Sequence, residues 1–378
     1  MNNHKPYFAN LDAIRWIAAL MVFLGHAVSP SYKYLHVENT IWEKLLDTIS
    51  NGRTGVSIFF VLSGFLITFL LISEYELTAT LSLKKFYIRR VLRIWPLYYL
   101  VVAFSFFIYP LLNTMVGINH PLASNVFYHL TFLSNFDIIR MDHMHYYGSA
   151  ARSQDITWSV SIEEQFYLVW PLIFVCLPKR FWGYTILLSI IGSVLFRIAN
   201  VNDTIVLYFH SLSAMLDLAI GGLLAYVIKS NTAIRNFFEN SSTRTHLLLF
   251  MGSFCLVFWN DTLFSFTYGN AVGRIFTSLS FALIISAQAL TISASKLNLH
   301  NWSFANNWGK YTYGIYLLHP IVMAIVEIIL YIIHISPDSF ITTFGIGMLE
   351  LILTLSLSKF MFKNYESYFL NIKEKFTT

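Results

Sequence analysis

The sequence predicts an all-α polytopic membrane protein of about ten transmembrane helices with both termini cytoplasmic. Three observations predict it. The 378 residues are 56% hydrophobic and 12% charged, against roughly 25% charged in soluble domains, and the mean hydropathy is +0.59. Apolar runs of about 20 residues recur without alternating polarity, which suits bilayer-spanning helices and not barrel strands. The 25 Lys and Arg residues are also unevenly placed: 17 fall on one set of alternating flanks, 5 on the other and 3 inside spans. That bias puts the richer flanks, and with them both ends of the chain, on the cytoplasmic side.

The spans follow in order at 11–29, 54–73, 90–114, 156–177, 181–200, 208–228, 245–259, 271–293, 311–333 and 341–362. The seventh is the shortest. The first begins after Lys5 and is followed by Ala27-Val28-Ser29, a pattern that a signal peptide shares, but Asp12 and Arg15 interrupt its apolar region and it is read as a retained helix. The longest loop, about 115–155, falls outside and carries the half-apolar stretch FYHLTFLSNF, suited to the interface. No linker, repeat or charge run divides the chain, so residues 1–378 are expected to form one integral membrane domain without an appended soluble domain.

Composition excludes several functions. The net charge of +5 comes from short loops beside apolar runs, so topology explains it without nucleic acid. Cys176 and Cys255 lie inside apolar runs and give no disulfide or metal framework. His143 and His145 form an isolated H-x-H, too little for a metal site, and none is expected. Nucleotide-binding and hydrolase motifs are absent.

What needs explaining is the set of polar groups inside the spans, each costing about 2.5–3.5 kcal/mol to insert. Asp12 and Arg15 are three apart and suited to pair on the first helix. Arg15 and His26 are eleven apart, about three turns, and so share a face at roughly 16 Å axial separation. On its own, His26 admits both a packing and a functional reading. In KKFYIRRVLRIWP, Arg90 and Arg93 share a face at the cytoplasmic mouth of the third span. Anchoring explains most such residues, yet paired planar guanidiniums also suit bidentate binding of an anionic phosphate ligand. In TWSVSIEEQFYLVWP, Ser159, Glu163 and Tyr167 line one face, while Glu164 points about 100° away from Glu163. One of the two carboxylates can face the aqueous rim; the one that faces the bundle from this outer end is expected near the depth of His26, where a carboxylate orients or charge-stabilises an imidazole. Asp217 precedes the close-packing pair Gly221-Gly222, Arg274 is expected to pair locally, and His319 in YTYGIYLLHP is equally open to structural and functional readings.

Taken together, these stretches resemble the membrane acyltransferase-3 family, which includes bacterial O-antigen and other polysaccharide O-acetyltransferases. The resemblance rests on LDAIRWIAALMVFLGHA, GVSIFFVLSGFLIT, FYIRRVLRIWPLYY, FLSNF with TWSVSIEEQFYLVWP, and YTYGIYLLHP, in order along nearly the whole chain. It implies acyl transfer, acetyl by expectation, from cytoplasmic acyl-CoA to a hydroxyl of a cell-envelope or exported glycan or lipid-linked saccharide, in a bacterial inner membrane. It implies His26 as general base, Glu163 as its partner, and Arg90 and Arg93 with Arg15 as holders of the CoA phosphates. Asp12, Ser161 and Tyr167 support that site. Around Asp217 the match is loose, and the esterase-like C-terminal domain of some relatives has no counterpart here. The rival reading is a transporter of a lipid-linked sugar or an organic anion, since intramembrane Arg, His and Glu serve such pathways too. Against it, no inverted repeat or paired broken helices are visible.

Overall fold

The computed structural model describes residues 8, 10–27, 41–118, 124–145, 155–291 and 297–376. Lys5, Lys33, Arg152 and Lys296, which entered the charge count, lie outside these residues, as do Val28 and Ser29 of the cleavage-like pattern. The described residues form helices and connections with no strand. Ten helices of 16 to 27 residues stand at the ten expected segments: α1 (Asn10–Ala27), α2 (Gly52–Thr78), α3 (Leu83–Ala103), α4 (Thr157–Cys176), α5 (Trp182–Ala199), α6 (Ser211–Ser230), α7 (Thr243–Phe258), α8 (Gly269–Leu290), α9 (Thr312–Ile332) and α10 (Phe340–Met361).

Among the described residues, seven stretches are long and apolar enough to cross a membrane: Lys44–Thr78, Leu83–Met115, Lys179–Ala199, Thr204–Ser230, Gly269–Leu290, Thr312–Ile332 and Phe340–Glu374. Among the described residues, long helices thus stand at all ten expected segments, but only seven stretches have the length and apolarity of a span. Helix α7 falls short in length at 16 residues. In α1 and α4 the reason is chemical: Asp12, Arg15 and His26 dilute one, and Glu163, Glu164 and Gln165 dilute the other. Two of the three helices that carry the expected site residues are less apolar for that reason.

The centre of the bundle is the pair α2 and α6, which meet backbone to backbone. A Cβ on Gly64 would stand 1.8 Å from the Leu218 carbonyl oxygen, and one on Gly221 would stand 2.0 Å from that of Val61. Only glycine allows this approach, the role expected of the Gly221-Gly222 pair. It also brings buried Asp217 of α6 between α2 and α8. There Ser57 donates to its Oδ2 at 3.1 Å, and Arg274 forms an ion pair whose Nε lies 2.9 Å from Oδ1. Arg274 therefore pairs across the bundle, not locally: a charge inserted in an apolar helix finds its counter-ion on another helix.

Helix α1 packs on α2 and on the short helix Ser303–Gly309, where a Cβ on Gly309 would stand 2.3 Å from that of Asp12. Prolines 96, 171 and 320 lie inside α3, α4 and α9. Each lacks the N–H of a helical hydrogen bond and opens its helix locally. Near the first of them, the Tyr313 hydroxyl donates to the Ile94 carbonyl at 2.6 Å and the Tyr365 hydroxyl to that of Pro96 at 3.2 Å. These bonds clamp α3 against α9 and the C-terminal segment.

Candidate active site

The Arg15-to-His26 face of α1 has a distinct polar centre at each end. At the His26 end, Nδ1 of His26 lies 3.2 Å from Nε2 of His319 on α9, with ring centroids 5.2 Å apart. His26 reaches the surface, whereas His319 is buried against Phe23 and Tyr316. On its other side, His319 places Nδ1 3.1 Å from the carbonyl oxygen of Ile315, one turn back on its own helix. Tyr316, three residues before His319, shares a hydrogen bond of 2.5 Å with Ser159 of α4.

One turn further along α4 from Ser159 stands Glu163. Ser63 donates to its Oε1 at 2.6 Å and the Tyr167 hydroxyl to its Oε2 at 3.1 Å, with Tyr167 also 3.0 Å from Ser63. The guanidinium of Arg90 lies 5.2 Å from the Tyr167 ring centre and 5.5 Å from that of Phe86. Glu163 lies in the field of Arg90 and Arg15. The face Ser159–Glu163–Tyr167 thus runs as its spacing predicted, but it runs from the histidine pair towards the arginines. The expected Glu163–His26 partnership is replaced: Glu163 is bonded to Ser63 and Tyr167, and His319 is the group held against His26. The extra turn between Ser159 and Glu163, about 6 Å of rise for four residues, carries the carboxylate past the imidazoles.

The arginine end gathers Arg15, Arg90 and Arg93. Arg15 is paired with Asp12, as their spacing suggested. Among the described residues, Arg90 and Arg93 make no ion pair or hydrogen bond, and Arg90 Nε is buried without a partner. Arg93 lies in the combined field of Glu366, Arg15 and Arg90. Glu164 points away from Glu163 and accepts from Trp95 Nε1 at 2.9 Å. The C-terminal helix Ser367–Glu374 packs on α3, and Arg89 Nη1 donates to the Phe376 carbonyl at 3.1 Å. This seats Lys373 in the field of Arg93, Arg90 and Arg89.

Ser161 is turned elsewhere. Two residues on from Ser159 it points about 200° around the helix. It bonds Ser134 at 2.8 Å and approaches the Tyr98 hydroxyl at 3.5 Å. From Ser134 the hydrogen bonds continue to Thr157 at 3.1 Å, to His129 Nδ1 at 2.9 Å, from His129 Nε2 to Ser124 at 2.9 Å, and from Ser124 to Asp137 at 2.6 Å. Ser161 therefore ties the loop helices Val126–Leu130 and Ser134–His143 to α4 instead of supporting the base. Burial works against the Asp137 carboxylate. Hydrogen bonds from Ser124, the Asn125 amide and Arg140, with His129 alongside, outweigh it and hold the group down to about 2. His143 pairs with Asp203 at 2.9 Å and not with His145.

Sequence reasoning left His319 open and gave no role to Tyr316, Trp95 or Glu366, and Lys373 entered only as a topology charge. For two of them the signal is present: Tyr313, Tyr316 and His319 recur every three residues and line one side of a helix.

The fold and site define an integral membrane protein with a histidine pair and a group of arginines at opposite ends of one helix. The acyltransferase domain family matches residues 8–359, nearly the whole chain, and the chain belongs to this acyltransferase-3 family. It is similar to the peptidoglycan O-acetyltransferase OatA of Listeria monocytogenes serovar 1/2a, at 30% identity over 339 residues, 84% of this chain and 50% of that protein. YrhL of Bacillus subtilis (strain 168), assigned as a peptidoglycan O-acetyltransferase, is 28% identical over 336 residues, 85% of this chain and 49% of that protein. An assigned O-acetyltransferase of Staphylococcus aureus (strain COL) is 30% identical over 233 residues, 58% of this chain and 35% of that protein. The chain spans about half the length of the two peptidoglycan relatives. No solved structure matches it.

Proposed function

We propose that this chain transfers an acyl group, acetyl in the first instance, from acyl-CoA to a hydroxyl of a cell-envelope glycan. The observation that carries this reading is the pair Arg90 and Arg93, which make no ion pair or hydrogen bond among the described residues, at one end of a polar path whose other end is the His26–His319 pair. Both guanidiniums are half-buried, with carboxylates near but no direct salt bridge among those residues, and an anionic ligand that bonds them directly compensates their partial loss of water. The planar forks of Arg90 and Arg93 suit phosphate oxygens, so these residues hold the CoA phosphates, with Arg15 beside them. In this reading the chain crosses ten times with both termini cytoplasmic, and that end faces the bacterial cytoplasm, where acyl-CoA is supplied. Glycans of the kind named for the relatives lie on the other side, within reach of His26.

The chemistry is ester formation. The acceptor hydroxyl oxygen bonds to the thioester carbonyl carbon, the carbon–sulfur bond breaks, and the departing CoA thiolate is protonated. His26 takes the hydroxyl proton and returns it towards the sulfur, the shuttle for which imidazole is suited near neutral pH. Glu163, held by Ser63 and Tyr167 beside Arg90, orients the donor end of the path rather than the base. The test is acyl transfer by purified protein from labelled acetyl-CoA to peptidoglycan fragments. His26→Ala abolishes transfer while CoA binding persists. Full transfer by that variant overturns the assignment of the base.

A further inference from the structure

The hydrogen bonds around His319 fix which nitrogen of His26 carries a proton. A carbonyl oxygen only accepts, so the 3.1 Å contact with Ile315 requires a proton on Nδ1 of His319. A neutral imidazole has one proton, so Nε2 of His319 bears a lone pair and accepts. Its partner at 3.2 Å, Nδ1 of His26, must then be the donor. A neutral His26 with its proton on Nδ1 carries its lone pair on Nε2. The arrangement is directional: Ile315 carbonyl, His319, His26, then the base lone pair.

The helix supplies the anchor. Ile315 precedes His319 by four residues, so its carbonyl lies one turn back, and burial between Phe23 and Tyr316 restricts the His319 ring. The edge of the Tyr316 ring, itself held by Ser159 at 2.5 Å, limits rotation further. Orienting groups more often accept the base's N–H hydrogen bond through a carboxylate. Here a neutral ring serves, and no buried negative charge is needed beside the acceptor hydroxyl.

We propose that His319 is the positioning residue of the acyl transfer, selecting the tautomer and ring orientation that make Nε2 of His26 the base. This rests on the reading of His26 as the base. The experiment compares steady-state transfer by the full chain in nanodiscs with acetyl-CoA and peptidoglycan fragments for His26→Ala, His319→Leu and His319→Gln. A glutamine Oε1 occupies a place equivalent to Nε2 and accepts from His26, while leucine removes the acceptor and keeps the bulk. His319→Leu is expected to lower kcat by about a hundredfold, the lower end of general-base contributions, with KM for both substrates unchanged. His319→Gln is expected to remain within about tenfold of the natural protein, since its Oε1 keeps an acceptor for the His26 proton. Wild-type kcat in His319→Leu, with His26→Ala inactive, overturns the positioning role and leaves the base intact. Activity in His26→Ala overturns the underlying reading. Equal loss in folded Leu and Gln variants also overturns the acceptor role. Nitrogen-15 spectra of histidine-labelled natural protein decide the matter even where a variant fails to fold: a protonated Nδ1 on neutral His26 supports the proposal, and a protonated Nε2 overturns it.

Discussion

Nδ1 of His26 and Nε2 of His319 lie 3.2 Å apart, although 293 positions separate them in sequence. The first and ninth long helices meet at this point, and the proposed chemistry depends on the ring at the end of α1. Removing that ring should cost roughly 10²–10⁴-fold in kcat, the usual worth of a general base. His26→Gln should show this loss with unchanged thermal unfolding and unchanged CoA affinity, read by acyl transfer, differential scanning fluorimetry and calorimetric titration.

At the other end of the face, Arg90 and Arg93 should act on affinity. Hydrogen bonds to charged groups contribute about 1.5–3 kcal/mol, so Arg93→Ala is expected to weaken CoA binding by roughly 10–100-fold. Arg90→Lys should recover only part of the affinity lost by Arg90→Ala, because an ammonium cannot form the bidentate fork. Calorimetric titration with CoA and with dephospho-CoA measures both effects. Unchanged affinity in all three variants would reduce these arginines to membrane anchors.

The loop bound through Ser161 should respond to pH. Asp137 is held down to about 2, against about 3.9 for an unperturbed aspartate. Its lowered folded-state value makes the ionised form stabilising above about pH 4, and that contribution fades as pH falls towards about 2. The difference is worth about 3 kcal/mol at most. The unfolding temperature of the natural protein should therefore decline across this window. That of Asp137→Asn should start lower at neutral pH and lose less on acidification.

The contact between α2 and α6 admits no side chain at two positions. Gly221→Ala would set a Cβ 2.0 Å from the Val61 carbonyl oxygen. Separating the helices to relieve it should cost about 1–3 kcal/mol or more, read as a lower unfolding temperature. The same substitution at Gly252, where a Cβ meets nothing within 4 Å, should leave stability unchanged.

Breaking the Asp217–Arg274 pair should be more damaging than removing it whole. Arg274→Met leaves a buried carboxylate with only Ser57 and Ser278 as partners and should cost about 3–5 kcal/mol. The double variant Asp217→Leu with Arg274→Met should recover part of that loss in the same unfolding measurement.

Much of the fold was legible because lipid imposes a simple pattern. Every expected segment corresponds to a long helix, and the faces Asp12–Arg15 and Ser159–Glu163–Tyr167 follow directly from 3.6-residue periodicity. What periodicity does not encode is which helix a face meets. Glu163 and His26 seemed matched because both are expected towards the outer ends of their helices, at comparable depth. The structure sets Glu163 against Ser63 of α2 and brings His319 of α9 to His26 instead. Ser161 was misplaced for the related reason that a short motif does not say which of its residues face the same way. Arg274 and Asp217, 57 residues apart, meet only once α6 and α8 have packed together.

The most direct test of the account is vectorial acyl transfer in proteoliposomes of known protein orientation. Labelled acetyl-CoA is supplied only on the Arg90–Arg93 side and a peptidoglycan acceptor only on the His26 side. The account predicts label in alkali-labile ester on the acceptor, none with His26→Ala, and reduced apparent donor affinity with Arg93→Ala. Undiminished labelling by His26→Ala, or movement of an unacylated saccharide or anion across the membrane without ester formation, would contradict it.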